Sequence, residues 1–242
     1  MAHIILTGAT GTAGAGILAH ALTVPTIAKI SILSRRPVKL AENQPEATVI
    51  LHKDFTTYPP DVLSQLSGAT ACIWAQGISS RGMSEEEYTK ITHDYPVAAA
   101  RAFAGLGENF TFVYTSGEGA EMDKEGGMLY AKVKGKAERS LLNLQAELPS
   151  LHVFNIRPAG INPAGNYLAE RKPSWVDRGI NLLGNVFERV YKPLVISTEN
   201  LGKACVRLAM NDGKPWPEGK GVEEQGRLIR NVALRRIAEE AK

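Results

Sequence analysis

Short apolar runs punctuate the chain at 3–7, 29–34, 48–52, 69–75, 109–115 and 151–156. Each is short and bounded by turn residues, so each predicts a strand. Between them apolar positions recur at helical spacing and predict helices over 12–22, 59–67, 84–106 and 128–147. Strand and helix alternate, which is the pattern of βαβ units feeding a parallel sheet covered on both faces. The pattern changes after Arg157-Pro158. Pro163, Gly165 and Pro173 sit among mixed charges and predict an irregular excursion over 162–176. The stretch 178–191 sets Ile180, Leu183, Val186, Phe187 and Val190 along one side of a helix, as a core-facing or lid helix does. Two last helices are expected at 199–211 and 223–241, joined by a loop carrying Gly213, Pro215, Pro217, Gly219 and Gly221. The expected plan is one α/β domain over 1–242. Residues 1–157 form its core, and 158–242 form a small substrate-covering region.

The first strand and helix are joined by Gly8-Ala-Thr-Gly-Thr-Ala-Gly14. Gly8, Gly11 and Gly14 have the spacing of a phosphate-binding turn. The first makes the turn, the second lets a pyrophosphate approach the main chain, and the third lets helix and strand pack closely. With Thr10 and Thr12 they surround the positive end of a helix dipole, where an anion is stabilised. The motif sits between a strand and a helix, the context it requires. A Rossmann-type, doubly wound parallel sheet is therefore expected.

Further candidates fall at the ends of later strands. The second ends in Ser34-Arg35-Arg36, where an acid would bind the 2′-hydroxyl of NAD. Two guanidiniums stand there instead and suit a 2′-phosphate, so NADP is favoured over NAD. Asp54 follows the third strand and is placed either to accept the adenine amino group, with Phe55 beside it, or simply to form a polar turn. Ala75-Gln76-Gly77 ends the fourth with a small, open backbone suited to the cofactor ribose. Tyr130 and Lys134 lie four residues apart on one helical face. A free tyrosine has a pKa of about 10, and an adjacent ammonium would lower it towards useful acid–base chemistry. The same lysine can hold the nicotinamide ribose. Ser116, ending the fifth strand, is placed to orient a substrate carbonyl.

These motifs resemble those of the atypical short-chain dehydrogenase/reductases, particularly their small NADP-binding members. The resemblance rests on residues 8–14, Ser34-Arg35-Arg36, His93-Asp94-Tyr95, Thr115-Ser116-Gly117, Tyr130 through Lys134 to Glu138, and Arg157-Pro158, and it spans nearly the whole chain. It implies NADP binding, with Pro158 beside the nicotinamide, and a Ser116-Tyr130-Lys134 catalytic set. It implies hydride transfer to or from a small carbonyl or alcohol. An NADP-binding regulatory or scaffold protein, and an epimerase or dehydratase using the same cofactor, are the alternatives. The chain departs from the family where glycine usually follows Arg-Pro: here Ala159 does, with glycine at 160.

Composition narrows the classes. The 242 residues carry 28 basic and 25 acidic side chains, a net charge of +3, with no basic block to suggest nucleic acid. The two cysteines are too few for a disulfide framework or a zinc cage and read as buried thiols. The five histidines are scattered without metal-ligand spacing, so no metal is expected. No apolar run approaches the roughly 18 residues of a membrane span, and no cleavable presequence is seen. The cytoplasm is the expected location, with association to the mitochondrial outer membrane as the alternative. A homo-oligomer through the helices at 84–106 and 128–147 is compatible with the sequence.

Overall fold

The computed structural model describes residues 1–122, 127–163 and 194–240. Its frame is an eight-stranded sheet in the order β3-β2-β1-β4-β5-β6-β10-β9, with β9 at Val222–Glu223 and β10 at Leu228–Arg230. The six strands read from the apolar runs are all present: β1 (Ala2–Thr7), β2 (Ile27–Ser34), β3 (Ala47–Leu51), β4 (Ala71–Trp74), β5 (Phe110–Thr115) and β6 (Leu151–Arg157). They pair in parallel throughout. The order reverses between β1 and β4, which places a crevice at their carboxyl ends.

The helices cover both faces. On one face Ile4, Leu6, Ile30, Ile32, Ile73 and Val113 pack under α1 (Thr12–Ala21), α6 (Thr198–Ala209) and α7 (Asn231–Glu239). On the other, Ile5, Leu33, Cys72, Trp74, Phe112 and Tyr114 pack under α2 (Pro60–Gln65), α4 (Tyr95–Phe103) and α5 (Leu129–Glu147). Alternate residues of the same strand thus serve opposite cores, which explains why the strands read as unbroken apolar runs. Cys72 and Cys205 are both buried, free thiols, and burial pushes their pKa values up.

The helix expected over 84–106 is an interrupted one. α3 (Glu85–Thr89) opens with a capping box between Ser84 and Glu87 and passes through a π-helical turn at Lys90–Asp94 into α4. The expected helix over 223–241 needs a larger correction. Its first half is β9 (Val222–Glu223), a tight turn and β10 (Leu228–Arg230), and only its second half is α7. Glu224, Gln225 and Gly226 all have positive φ, which breaks a helix there. β10 extends the main sheet beside β6, and β9 pairs with it antiparallel. A second, two-stranded sheet joins β7 (Gly160–Asn162) to β8 (Val195–Ser197).

Residues from Val195 onward therefore build part of the sheet and of its helical cover. α6 crosses α1 closely: a Cβ on Gly16 would fall within 2.5 Å of the Thr198 Cβ, and one on Gly202 within 2.9 Å of the Gly16 carbonyl oxygen. The amphipathic stretch at 178–191 and most of the excursion at 162–176 lie outside the described residues.

Candidate active site

The glycine turn lies at the switch point. Gly8 has φ +73°, and a Cβ there would overlap the Ala75 carbonyl at the end of β4. A Cβ on Gly14 would overlap the Gly8 carbonyl, so α1 can approach β1 this closely only with glycine at 14. A Cβ on Gly11 would meet only the Gly8 oxygen, at 3.3 Å, and its peptide N–H donates to that same oxygen at 2.9 Å. Gly11 is also the N-cap of α1, whose first turn has no side-chain cap and no acid. Donors and dipole are left for an external anion.

Gly8, Thr10, Gly11, Leu33, Ser34, Arg35, Ala75, Gln76 and Gly77 line one opening of about 130 Å³. It joins the ends of β1, β2 and β4, and the candidate ribose and phosphate contacts from three separate stretches of sequence meet there. Ser34 Oγ closes the turn after β2 by donating to the Arg36 carbonyl at 2.7 Å and accepting its N–H at 3.3 Å. The Gln76 N–H donates to Thr7 Oγ1 at 3.3 Å, tying the ends of β4 and β1. A glycine cradle, an uncapped helix start and a cationic rim fit a dinucleotide.

Asp54 and Phe55 serve the fold first. Asp54 Oδ1 accepts the Thr56 N–H at 3.0 Å and the Thr56 hydroxyl at 2.5 Å, and Oδ2 accepts the Thr57 hydroxyl at 3.3 Å. Those hydrogen bonds hold its carboxyl below the usual carboxylate range. The Phe55 ring is wholly buried against Trp74, Tyr95 and His52, so it does not lie beside an adenine. An aromatic after a polar turn carries the same sequence signal whether it points into a cleft or into a core.

The three catalytic candidates converge at the end of β5. Lys134 Nζ donates to the Ser116 carbonyl at 2.7 Å and the Thr115 carbonyl at 3.3 Å, and lies 5.4 Å from the Tyr130 ring centroid. The Tyr130 hydroxyl sits directly over Gly117, where a Cβ would collide with it, and donates to the Glu118 carbonyl at 3.3 Å. Pro158 joins them by accepting the Glu118 N–H at 3.0 Å. The Ser116 side chain is buried, and its Oγ has no hydrogen-bond partner. A buried hydroxyl left unpaired is costly and calls for an explanation.

The electrostatics correct one expectation. Tyr130 is pushed up to about 12, first by burial, then by Tyr88, Glu138 and Glu118, with Arg157 acting in the opposite sense. Lys134 lies beside the ring and does not bring the phenol down. Burial instead pulls Lys134 itself down to about 8, against the opposing pull of Glu138. Tyr130 is held as the protonated phenol, which suits a proton donor.

Several residues have partners that the sequence did not reveal. Glu138 is fully buried one turn beyond Lys134 and forms a two-pronged ion pair with Arg157, at 2.9 Å to Nε and 2.6 Å to Nη2. Glu118 follows β5 in a turn that the sequence leaves without partners. Its carboxylate instead takes Arg230 at 2.7 Å and the Asn231 N–H at 3.1 Å. His93, in the π-helical turn, bridges Asp94 at 2.7 Å and Ser140 at 2.9 Å. This Ser-His-Asp arrangement ties α5 to that turn. Ser140 sits inside α5, where peptide N–H groups are committed to the helix, so it has no oxyanion hole.

Among the curated relatives, the leucinostatins biosynthesis cluster protein T of Purpureocillium lilacinum is 32% identical over 256 residues, covering 96% of this chain and 94% of that protein. The mitochondrial protein fmp52 of Aspergillus fumigatus is 30% identical over 217 residues, covering 88% and 87%. A short-chain dehydrogenase/reductase of Saccharomyces cerevisiae superposes with a TM-score of 0.66 at 14% identity, covering 98% of this chain and 99% of that one. The chain belongs to the family of the leucinostatins cluster protein T and fmp52, and its fold is that of the short-chain dehydrogenase/reductases. No protein-family model matches it. Among the described residues no three His, Cys, Asp or Glu side chains gather as a metal site, and no helix is long and apolar enough to cross a membrane.

Proposed function

We propose that the protein is an NADP-dependent oxidoreductase that passes a hydride between nicotinamide and a small carbonyl or alcohol. One observation carries the reading. The Tyr130 hydroxyl over Gly117, the Lys134 ammonium on the Ser116 carbonyl and the unpartnered Ser116 Oγ all lie at the end of β5, the strand beside β4, whose end lines the dinucleotide opening. The bound cofactor supplies or accepts the hydride. Ser116 Oγ donates to the substrate oxygen and so gains the partner it lacks, while Tyr130 gives that oxygen its proton as the carbonyl is reduced. Lys134, anchored on the Thr115 and Ser116 carbonyls, holds the strand end and offers its remaining donor capacity to the ribose. Arg35 at the rim of the opening supports NADP over NAD.

The region over 158–242 is proposed to cover the substrate. The cytoplasm is the proposed location. The alternative is association with the mitochondrial outer membrane, and the naming of fmp52 relatives as mitochondrial supports its mitochondrial part.

An NADPH-oxidation screen over a panel of small carbonyls tests this, with Tyr130→Phe as control. Turnover abolished in that variant while NADPH binding persists is the expected result. Full activity in Tyr130→Phe would refute the acid–base assignment. NADPH binding without oxidation of any panel member would favour a regulatory protein. Product formed with no net NADPH consumption would favour an epimerase or dehydratase.

A further inference from the structure

Tyr130's hydroxyl is seated by a peptide that the far end of the chain holds in place. Its acceptor is the Glu118 carbonyl, at 3.3 Å. The same residue is fastened by three other groups. Its N–H donates to the Pro158 carbonyl at 3.0 Å. One carboxylate oxygen, Oε2, takes Arg230 Nη2 at 2.7 Å. The other, Oε1, accepts the Asn231 N–H at 3.1 Å, at the first turn of α7. Asn231 is buried, and its side-chain oxygen accepts the Ala159 N–H at 3.1 Å. The start of α7 therefore grips both loops that flank the Tyr130 hydroxyl, the one after β5 and the one after β6. Asn231 is also where Ala159, the residue that departs from the family pattern, is tied down.

We propose that Glu118 is a positioning residue for Tyr130, fixed by Arg230 and Asn231 so that α7 sets the place and the protonation of the catalytic hydroxyl. The inference rests on Tyr130 being the proton donor. Its physical content has two separable parts. The clamp fixes where the hydroxyl waits, and misplacing a catalytic group is costly in rate. The carboxylate also adds negative charge near the phenol, which disfavours the phenolate and keeps the donor protonated. The other charged or titratable groups facing Tyr130 are Tyr88 on α3, Lys134 and Glu138 on α5, Tyr114 on β5 and Arg157 on β6. All of these stay in place when Glu118 is changed.

Two variants separate the parts. Glu118→Gln removes the charge and keeps an oxygen for the Asn231 N–H. Arg230→Met loosens the clamp and keeps the charge. In carbonyl reduction with NADPH, both should lower kcat roughly tenfold with little change in the KM for NADPH. Only Glu118→Gln should move the alkaline limb of the pH profile to lower pH. The same downward shift should appear without turnover, in the titration of the Tyr130 resonance of protein carrying Cζ-labelled tyrosine, assigned by its loss in Tyr130→Phe. A wild-type titration and wild-type kcat in Glu118→Gln would overturn the proposal. A loss of kcat that merely follows lost stability, with no shift of the limb, would also overturn it. If Tyr130→Phe is fully active, the acid–base reading itself fails. A dead Tyr130→Phe beside an unaltered Glu118→Gln sinks the positioning role alone.

Discussion

Breaking the Glu138–Arg157 pair should unfold the protein far more readily than removing both charges. Glu138 is fully buried, and the Arg157 side chain is only 11% exposed. Two contacts at 2.9 and 2.6 Å satisfy both carboxylate oxygens, while Asn155 Nδ2 takes the Glu138 carbonyl at 3.1 Å. Glu138→Gln leaves the guanidinium in a dry place without its counter-charge. Breaking such a pair from one side costs about 3–5 kcal/mol, because the surviving charge keeps its desolvation penalty. For a chain of this length each kcal/mol lowers the melting temperature by about 2–4 °C, so a fall on the order of 10 °C is expected. In Glu138→Leu with Arg157→Met, both penalties and the attraction disappear together, and stability should return to within about 2 kcal/mol of the parent. Urea unfolding followed by circular dichroism measures all three proteins. A Glu138→Gln midpoint indistinguishable from the parent would refute the reasoning. A double variant weaker than the single one would show that the residues' packing, rather than charge compensation, holds α5 to β6.

Three further outcomes follow from the site. Replacing Arg35 and Arg36 together with alanine should weaken NADPH binding at least tenfold, since a hydrogen bond to a charged group is worth about 1.5–3 kcal/mol. NADH affinity should stay put, and calorimetric titration with both coenzymes reads the difference. Gly14→Ala must push α1 away from β1, because its Cβ has no room beside the Gly8 carbonyl. Strain of about 1–3 kcal/mol and loss of coenzyme binding are expected from denaturant and titration curves, and a variant that binds NADPH normally would contradict the close approach. Lys134 is pulled from 10.5 to about 8, so between those values the unfolded chain binds more protons than the folded one. Stability should therefore rise with pH across that interval. Lys134→Met should flatten the rise, and an unchanged slope would count against the burial of this ammonium.

The sequence revealed those parts of the fold whose cause is local. Each strand of the core declares itself because Ile4 through Leu6 or Phe110 through Tyr114 face buried layers on both sides, and a continuous apolar run is the direct result. The turn at 8–14 was legible because its constraint is steric and its residues are neighbours. β9 and β10 were not, because Val222 through Arg230 carries its break in two non-glycine residues at positive φ, Glu224 and Gln225, which no propensity anticipates. β7 was hidden for another reason. It pairs with a strand more than thirty residues later, and neither three-residue piece has a period of its own.

The candidate site divides along the same line. Tyr130 and Lys134 share a helical face by spacing alone, and Lys134 meets Ser116 through the carbonyl that follows β5. What holds them there is non-local. Glu118 finds Arg230 and Asn231 more than a hundred residues away, and Glu138 finds Arg157 across a helix and a strand. Such charges look the same in sequence as solvated ones. Only the fold separates a buried acid from a surface acid, and that burial decides whether losing its partner costs several kcal/mol or almost nothing. Sequence therefore names the groups that would touch a substrate, while the groups that set their position and protonation emerge only when distant segments are brought together. That is why the effects of Glu118 and Glu138 substitutions are the sharper tests of the structure, and those of Tyr130 the sharper test of the chemistry.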